Sequence, residues 1–154
     1  MRSGLLVALC CLSLAQTTLA GDPPVKPLRI ARVDRLENGQ FDPALLASCA
    51  IDKVVAASIE GKKPPRGQAT ELVLRLDAAK WIAKDYGSDN FRWGGTELGV
   101  TVLSVAGRDV NRPFLCHKEG LSKMSLAAHC QQVKSCSKRI ADQVKTWLAA
   151  PRAP

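Results

Sequence analysis

Histidines, aromatic residues and long apolar runs are all scarce in this chain of 154 residues, and each scarcity removes a class of function. The two histidines are His117 and His129, and there is no Gly-x-Ser-x-Gly elbow for either to serve. A serine nucleophile needs a neighbouring base, so serine hydrolase machinery is not visible. Aromatic residues make up 5% of the chain. The stretch Asp85–Asn90 lacks the ligand spacing of a calcium loop. Beyond the first segment no run approaches the ~20 apolar residues that span a bilayer, so no transmembrane segment is expected. There is no internal repeat and no nucleic-acid-binding motif, so nucleic acid is not an expected partner. Acidic charge is also in deficit: 22 Lys and Arg stand against 14 Asp and Glu, a formal net charge of +8. The basic residues are scattered, which suits a solubilising surface and leaves an anionic envelope surface as a second partner class.

What the chain does have is an export signal. Arg2, the apolar run Leu5–Leu14 and the small-residue stretch Thr18-Leu19-Ala20 before Gly21 read as a signal peptide over residues 1–20. Losing Arg2 lowers the formal charge from +8 to +7. Cys10 and Cys11 raise the question of a lipid anchor, but Leu9 precedes Cys10 where a small residue is expected, and the apolar run before it is very short. The expected product is a soluble periplasmic or secreted protein, with an extended proline-rich tail over 21–27 and a single α/β domain over 28–150.

Export sets the chemistry of Cys49, Cys116, Cys130 and Cys136: in an oxidising compartment four cysteines read as two disulfides. The mirrored pairs Cys116-His117 and His129-Cys130 raise the alternative of a metal site. Adjacent strand residues point to opposite faces, and no pair has the short spacing of a structural zinc site, so no metal is expected. Cys130 and Cys136, if both on one helix, are ~9 Å apart along its axis and too far to bond. The preferred pairing is Cys116–Cys130, closing a loop of about fifteen residues worth ~3 kcal/mol, with Cys49–Cys136 tying two helices together.

Alternation and capping signals give the order β-α-β-β-β-α: an α+β fold, with a mainly antiparallel sheet, two helices packed on it, and disulfides holding the layers. Leu28–Val33 alternates apolar and basic residues as a half-buried strand does. Asp42-Pro43 is a helix start, and Ala44–Glu60 continues to a stop at Gly61, with Ala47, Ile51, Val54, Val55, Ser58 and Ile59 on one face. Cys49 lies off that stripe. Leu72, Leu74, Leu76 and Ala78 alternate as a second strand, and Leu98, Val100 and Val102 as a third. Gly87–Gly95 and Ala106–Asp109 read as turns. Phe114–His117 reads as a further strand, with Pro113 marking an edge. Val133, Cys136, Ile140, Val144, Trp147 and Leu148 recur at helical spacing up to Pro151.

Four of the few aromatics crowd into Trp81–Trp93. Trp81, Tyr86, Phe91 and Trp93, interleaved with Lys84 and Arg92, form an aromatic and basic stretch of the composition that dominates binding hot spots. Trp81, Tyr86, Phe91, Arg92 and Trp93 are therefore the partner-binding candidates, against the alternative that the rings cover one end of the core. Asp85, Asp89 and Glu97 could supply paired carboxylates for acid–base chemistry, as in glycoside cleavage, but nothing in the sequence sets their separation. No catalytic residue is assigned, and no cofactor.

The segments Asp42–Glu60, Thr96–Val105 (TELGVTVLSV) and Cys136–Leu148 (CSKRIADQVKTWL), with a Trp-Gly-Gly turn before a strand, resemble small exported bacterial α/β envelope proteins. That group includes lipoproteins compared with the curli-secretion channel subunit. The resemblance implies a bacterial periplasmic source and an α/β sandwich, and it supplies no catalytic residue. The expected function is a non-catalytic binding protein that recognises an envelope or incoming protein, in the manner of an immunity protein or inhibitor. A structural or assembly accessory of the envelope with a basic contact surface is the alternative, and a carboxylate-dependent hydrolase the reserve.

Overall fold

The computed structural model describes residues 26–61, 67–85, 92–121 and 124–150. The segments read as signal peptide (1–20) and, for the most part, as tail (21–27) therefore lie outside the described residues. The elements run β1 (Leu28–Phe41), α1 (Pro43–Cys49), α2 (Ile51–Glu60), β2 (Thr70–Asp85), β3 (Arg92–Val105), β4 (Arg108–Leu121) and α3 (Leu126–Ala149). The fold is α+β: one four-stranded sheet in the order β1-β2-β3-β4, with the helices packed on it. The β2–β3 and β3–β4 pairs are antiparallel, while β1 and β2 run parallel because two helices connect them.

The alternating leucines and valines build the core. Leu72, Leu74 and Leu76 of β2 and Leu98, Val100 and Val102 of β3 are fully buried. Ile51, Val55 and Ile59 of α2 and Val133, Cys136, Ile140 and Val144 of α3 belong to the same cluster. A register shift between Leu76 and Ala78 then moves the buried position to Ala79, not Ala78 as simple alternation predicts. Pro113 sits on β4 opposite Thr101, on an edge strand of the sheet, where a residue without an N–H is tolerated. The β3–β4 hairpin turns at Ala106 and Gly107, both at positive φ (50° and 77°), as a two-residue turn requires.

Among the described residues three helices form where two are expected, because the segment 44–60 breaks at Ala50. Asp42 caps the start, its carboxylate accepting from Ala44 and Leu45 N–H. Ala50 then adopts the left-handed conformation (φ 46°, ψ 49°), and α2 sets off on a new axis. On one continuous helix Cys49 and Ile51 would point ~200° apart and could not both be buried against the same layer. The break lets Cys49 and Ile51 both join the core, at 6% and 1% exposure.

The strands are also longer than alternation alone indicates. β1 passes Val33 through an irregular stretch, with Leu36–Gly39 lying between the paired positions Arg35↔Leu76 and Gln40↔Ala78. Gly94 and Gly95, expected in a turn, pair within the sheet with Ala83 and Ile82.

The disulfides are Cys49–Cys130 and Cys116–Cys136, which corrects the expected Cys116–Cys130 and Cys49–Cys136 pairing. The reason is the early start of α3. Because it begins at Leu126, both Cys130 and Cys136 are helical, six residues and ~240° apart around the axis. Cys136 belongs to the buried stripe with Val133 and Ile140, and meets Cys116 on β4. Cys130 lies on another side of α3 and meets Cys49 at the end of α1, with a Cα–Cα distance of 5.1 Å.

Candidate functional site

The end of the sheet where β2 and β3 carry the aromatic stretch is organised by α3. Trp81 on β2 pairs across the ladder with Thr96 on β3, and Thr96 with Lys118 on β4. Ser125 caps α3, accepting from Ala128 N–H, and places the helix's first turns over Thr96. His129 and Gln132, three positions apart, thereby share one face of α3.

These side chains form a polar chain that is buried at Thr96 and His129 and reaches the surface through Gln132. Thr96, with no exposed surface, places its hydroxyl 3.0 Å from His129 Nδ1 and donates to Gln132 Oε1 at 2.7 Å. Gln132 Nε2 in turn donates to the Glu119 carbonyl at 2.9 Å. A Cβ added at Gly120 would meet Met124 Sδ and Gln132 Nε2, so a glycine there leaves those two side chains room in their observed positions. Trp81 stands against His129 in a T-shaped contact, centroids 5.8 Å apart at 73°, and stays 41% exposed. The Cys49–Cys130 bridge anchors α3 at the residue following His129. A large aromatic surface is thus presented from a fixed position.

Of the other predicted partner-binding residues, Arg92 and Trp93 are on β3, paired with Asp85 and Lys84 on the strand that carries Trp81. Tyr86 and Phe91 lie outside the described residues. So the ladder brings Trp81, Arg92 and Trp93 to one end of a β2–β3 pair. His129, Thr96 and Gln132 were not among the candidates. The apolar spacing read for the last helix begins at Val133, four residues past His129, so it gives no sign that the ring faces Thr96. Ser125 before an apolar residue is the capping signal that would have extended the helix to include His129.

The sheet face away from the helices carries its own charge pairs. Asp77 accepts from Arg75 Nε at 2.7 Å and from the Thr101 hydroxyl. Lys80 bonds Gln40 and lies 3.3 Å from Glu97, its cross-strand neighbour. Glu97, one of the three grouped carboxylates, is thus engaged with a lysine. The Asp85 side chain and Asp89 lie outside the described residues. Cys116 and His117 separate to opposite faces of β4, with His117 beside Gly95. Asp52 on α2 holds the exposed Arg35 guanidinium more firmly protonated, through a hydrogen bond and then by charge.

At the far end of the fold, a cavity of about 170 Å³ lies among Lys26, Leu28, Ile59, Glu60, Lys145 and Leu148. Its carboxylate is taken up: Glu60 accepts from Ile30 N–H at 2.7 Å. Among the described residues there is no group of three metal-ligating side chains, and no helix long and apolar enough to cross a membrane.

No family model matches the chain, and no curated protein matches it. Among the solved structures similar to it are two bacterial proteins. One is a minor lipoprotein from Acinetobacter baumannii, 11% identical, covering 81% of this chain and 93% of its own, at a TM-score of 0.36. The other is a protein of the DUF330 family from Xanthomonas campestris, 16% identical, covering 84% of this chain and 88% of its own, at a TM-score of 0.45.

Proposed function

We propose that this chain is an exported, non-catalytic binding protein of the bacterial envelope that recognises another protein, in the manner of an immunity protein or inhibitor. The observation that carries the reading is Trp81, 41% exposed yet held edge-to-face against His129. His129 is itself fixed by the Thr96–Gln132 chain. An exposed tryptophan usually gives up rotamer freedom on binding, and one already braced gives up less. Arg92 and Trp93, further along the same β2–β3 ladder, extend the proposed contact surface. The export signal and the two disulfides support an oxidising compartment.

The test is affinity capture from native periplasm, identification of the partner by mass, and measurement of its affinity for wild-type and Trp81→Ala protein. A tryptophan hot spot is worth 2 kcal/mol or more, about thirtyfold in Kd. An unchanged Kd for Trp81→Ala, and for the triple alanine variant at Phe91, Arg92 and Trp93, overturns the assignment.

A second reading, an envelope accessory that uses basic charge, has one observation in its favour. Lys134, Lys138 and Arg139 are exposed on α3 and form no ion pair among the described residues. Binding through them to anionic lipid or glycan should collapse as salt rises from about 50 to 300 mM, whereas an aromatic contact should persist.

A further inference from the structure

The proton accounting at His129 fixes more than the ring's position. The Glu119 carbonyl only accepts, so the Gln132 amide must turn its NH2 toward it and its Oε1 toward Thr96. Thr96 has one hydroxyl proton, and Oε1, which only accepts, takes it at 2.7 Å. The Thr96 oxygen is left as an acceptor toward His129 Nδ1, 3.0 Å away, so Nδ1 must carry a proton. In the neutral ring Nε2 is then the lone-pair nitrogen. Nε2 makes no hydrogen bond among the described residues, although His129 is only 8% exposed. The His129 ring packs edge-to-face against Trp81, centroids 5.8 Å apart, and Trp81 is 41% exposed.

We propose that His129, held as its Nδ1–H form, offers Nε2 beside the Trp81 indole as a binding site for an aromatic hydrogen-bond donor, the side-chain chemistry of tyrosine. The site asks for an apolar ring to cover Trp81 and a hydroxyl to donate to Nε2. Tyrosine joins a flat apolar body to a polar tip, and residues of this kind are enriched at protein interfaces. The inference rests on the reading that this end of the sheet faces the partner.

The first test uses the full mature chain with both disulfides, labelled with nitrogen-15. Long-range proton–nitrogen correlation at pH 8 should show Nε2 of His129 unprotonated, and the Thr96→Val variant should lose that preference. A wild-type ring protonated mainly at Nε2 overturns the inference. The second test titrates p-cresol, and 4-methylanisole as the analogue that cannot donate, following the Trp81 indole and His129 Nε2 signals. p-Cresol should bind about threefold to tenfold more tightly, the effect of one hydrogen bond, and the difference should vanish in His129→Phe. Equal affinity for the two probes, or no response at His129, overturns it. If Trp81→Ala destroys partner capture while the probes bind alike, this inference falls and the partner reading stands. If the probes behave as expected while Trp81→Ala leaves capture intact, the chemistry of the site stands and the partner reading falls.

Discussion

Replacing Cys49 and Cys130 together by alanine, and Cys116 and Cys136 together in a second variant, should destabilise the protein unequally. The Cys49–Cys130 bridge spans 81 residues of sequence and Cys116–Cys136 spans 20. In the chain-entropy model these loops correspond to about 4.5 and about 3.3 kcal/mol. For a domain of this size each kcal/mol moves Tm by about 4 °C, giving losses of about 18 and about 13 °C. Cys116 and Cys136 are nearly or fully buried (3% and 0%), so alanine there also loses some core contact and narrows the gap. The assay is thermal and denaturant unfolding under non-reducing conditions, with free thiols counted in each variant after denaturation. Each double variant should show no free thiol, because its other bridge is intact. Two free thiols in the Cys49/Cys130 variant, or a mixture of re-paired species, would refute the connectivity and the account of how α3 is held.

The polar chain gives a second prediction: Thr96→Val strands His129 Nδ1–H and Gln132 Oε1 and should cost about 1–3 kcal/mol in urea unfolding. A cost below about 0.5 kcal/mol would mean these groups are satisfied elsewhere. Gly120→Ala drives a methyl toward the side-chain ends of Met124 and Gln132, which can turn aside, so the cost should be that of the displaced Gln132 hydrogen bonds, about 0.5–1.5 kcal/mol, with Thr96→Val adding less than its own effect in the double variant because both act on Gln132. Ala50→Gly relieves the left-handed conformation at the α1–α2 break and should raise stability by up to about 1 kcal/mol, whereas a marked loss would contradict the break. Changing Lys134, Lys138 and Arg139 to glutamine should leave partner affinity within about twofold at 0.15 M salt if the aromatic contact dominates, and a larger loss would favour the basic-surface reading.

The sheet was readable because its signals are local. The Leu72–Leu76 and Leu98–Val102 alternations, and the Asp42-Pro43 cap, act within a few residues and are reproduced in the fold. The break at Ala50 was not readable, because no breaker residue stands there and the tie beside it, Cys49–Cys130, joins residues 81 apart in sequence. Disulfide pairing failed for a related reason. It depends on where α3 begins, and the start was set too late, near Val133, although Ser125 offered a cap. The same error hid the candidate site in part. With α3 starting at Leu126, His129 and Gln132 fall on one face over Thr96. Trp81 was legible from composition alone, but its support by His129 is a tertiary fact.

The most direct measurement is the affinity of the captured, mass-identified partner for wild-type and Trp81→Ala protein of matched thermal stability. A braced aromatic anchor at the β2–β3 end predicts about a thirtyfold or greater loss in the variant, retained at 0.3 M salt. Equal affinities for the two proteins would contradict it and move the contact surface away from this end of the sheet.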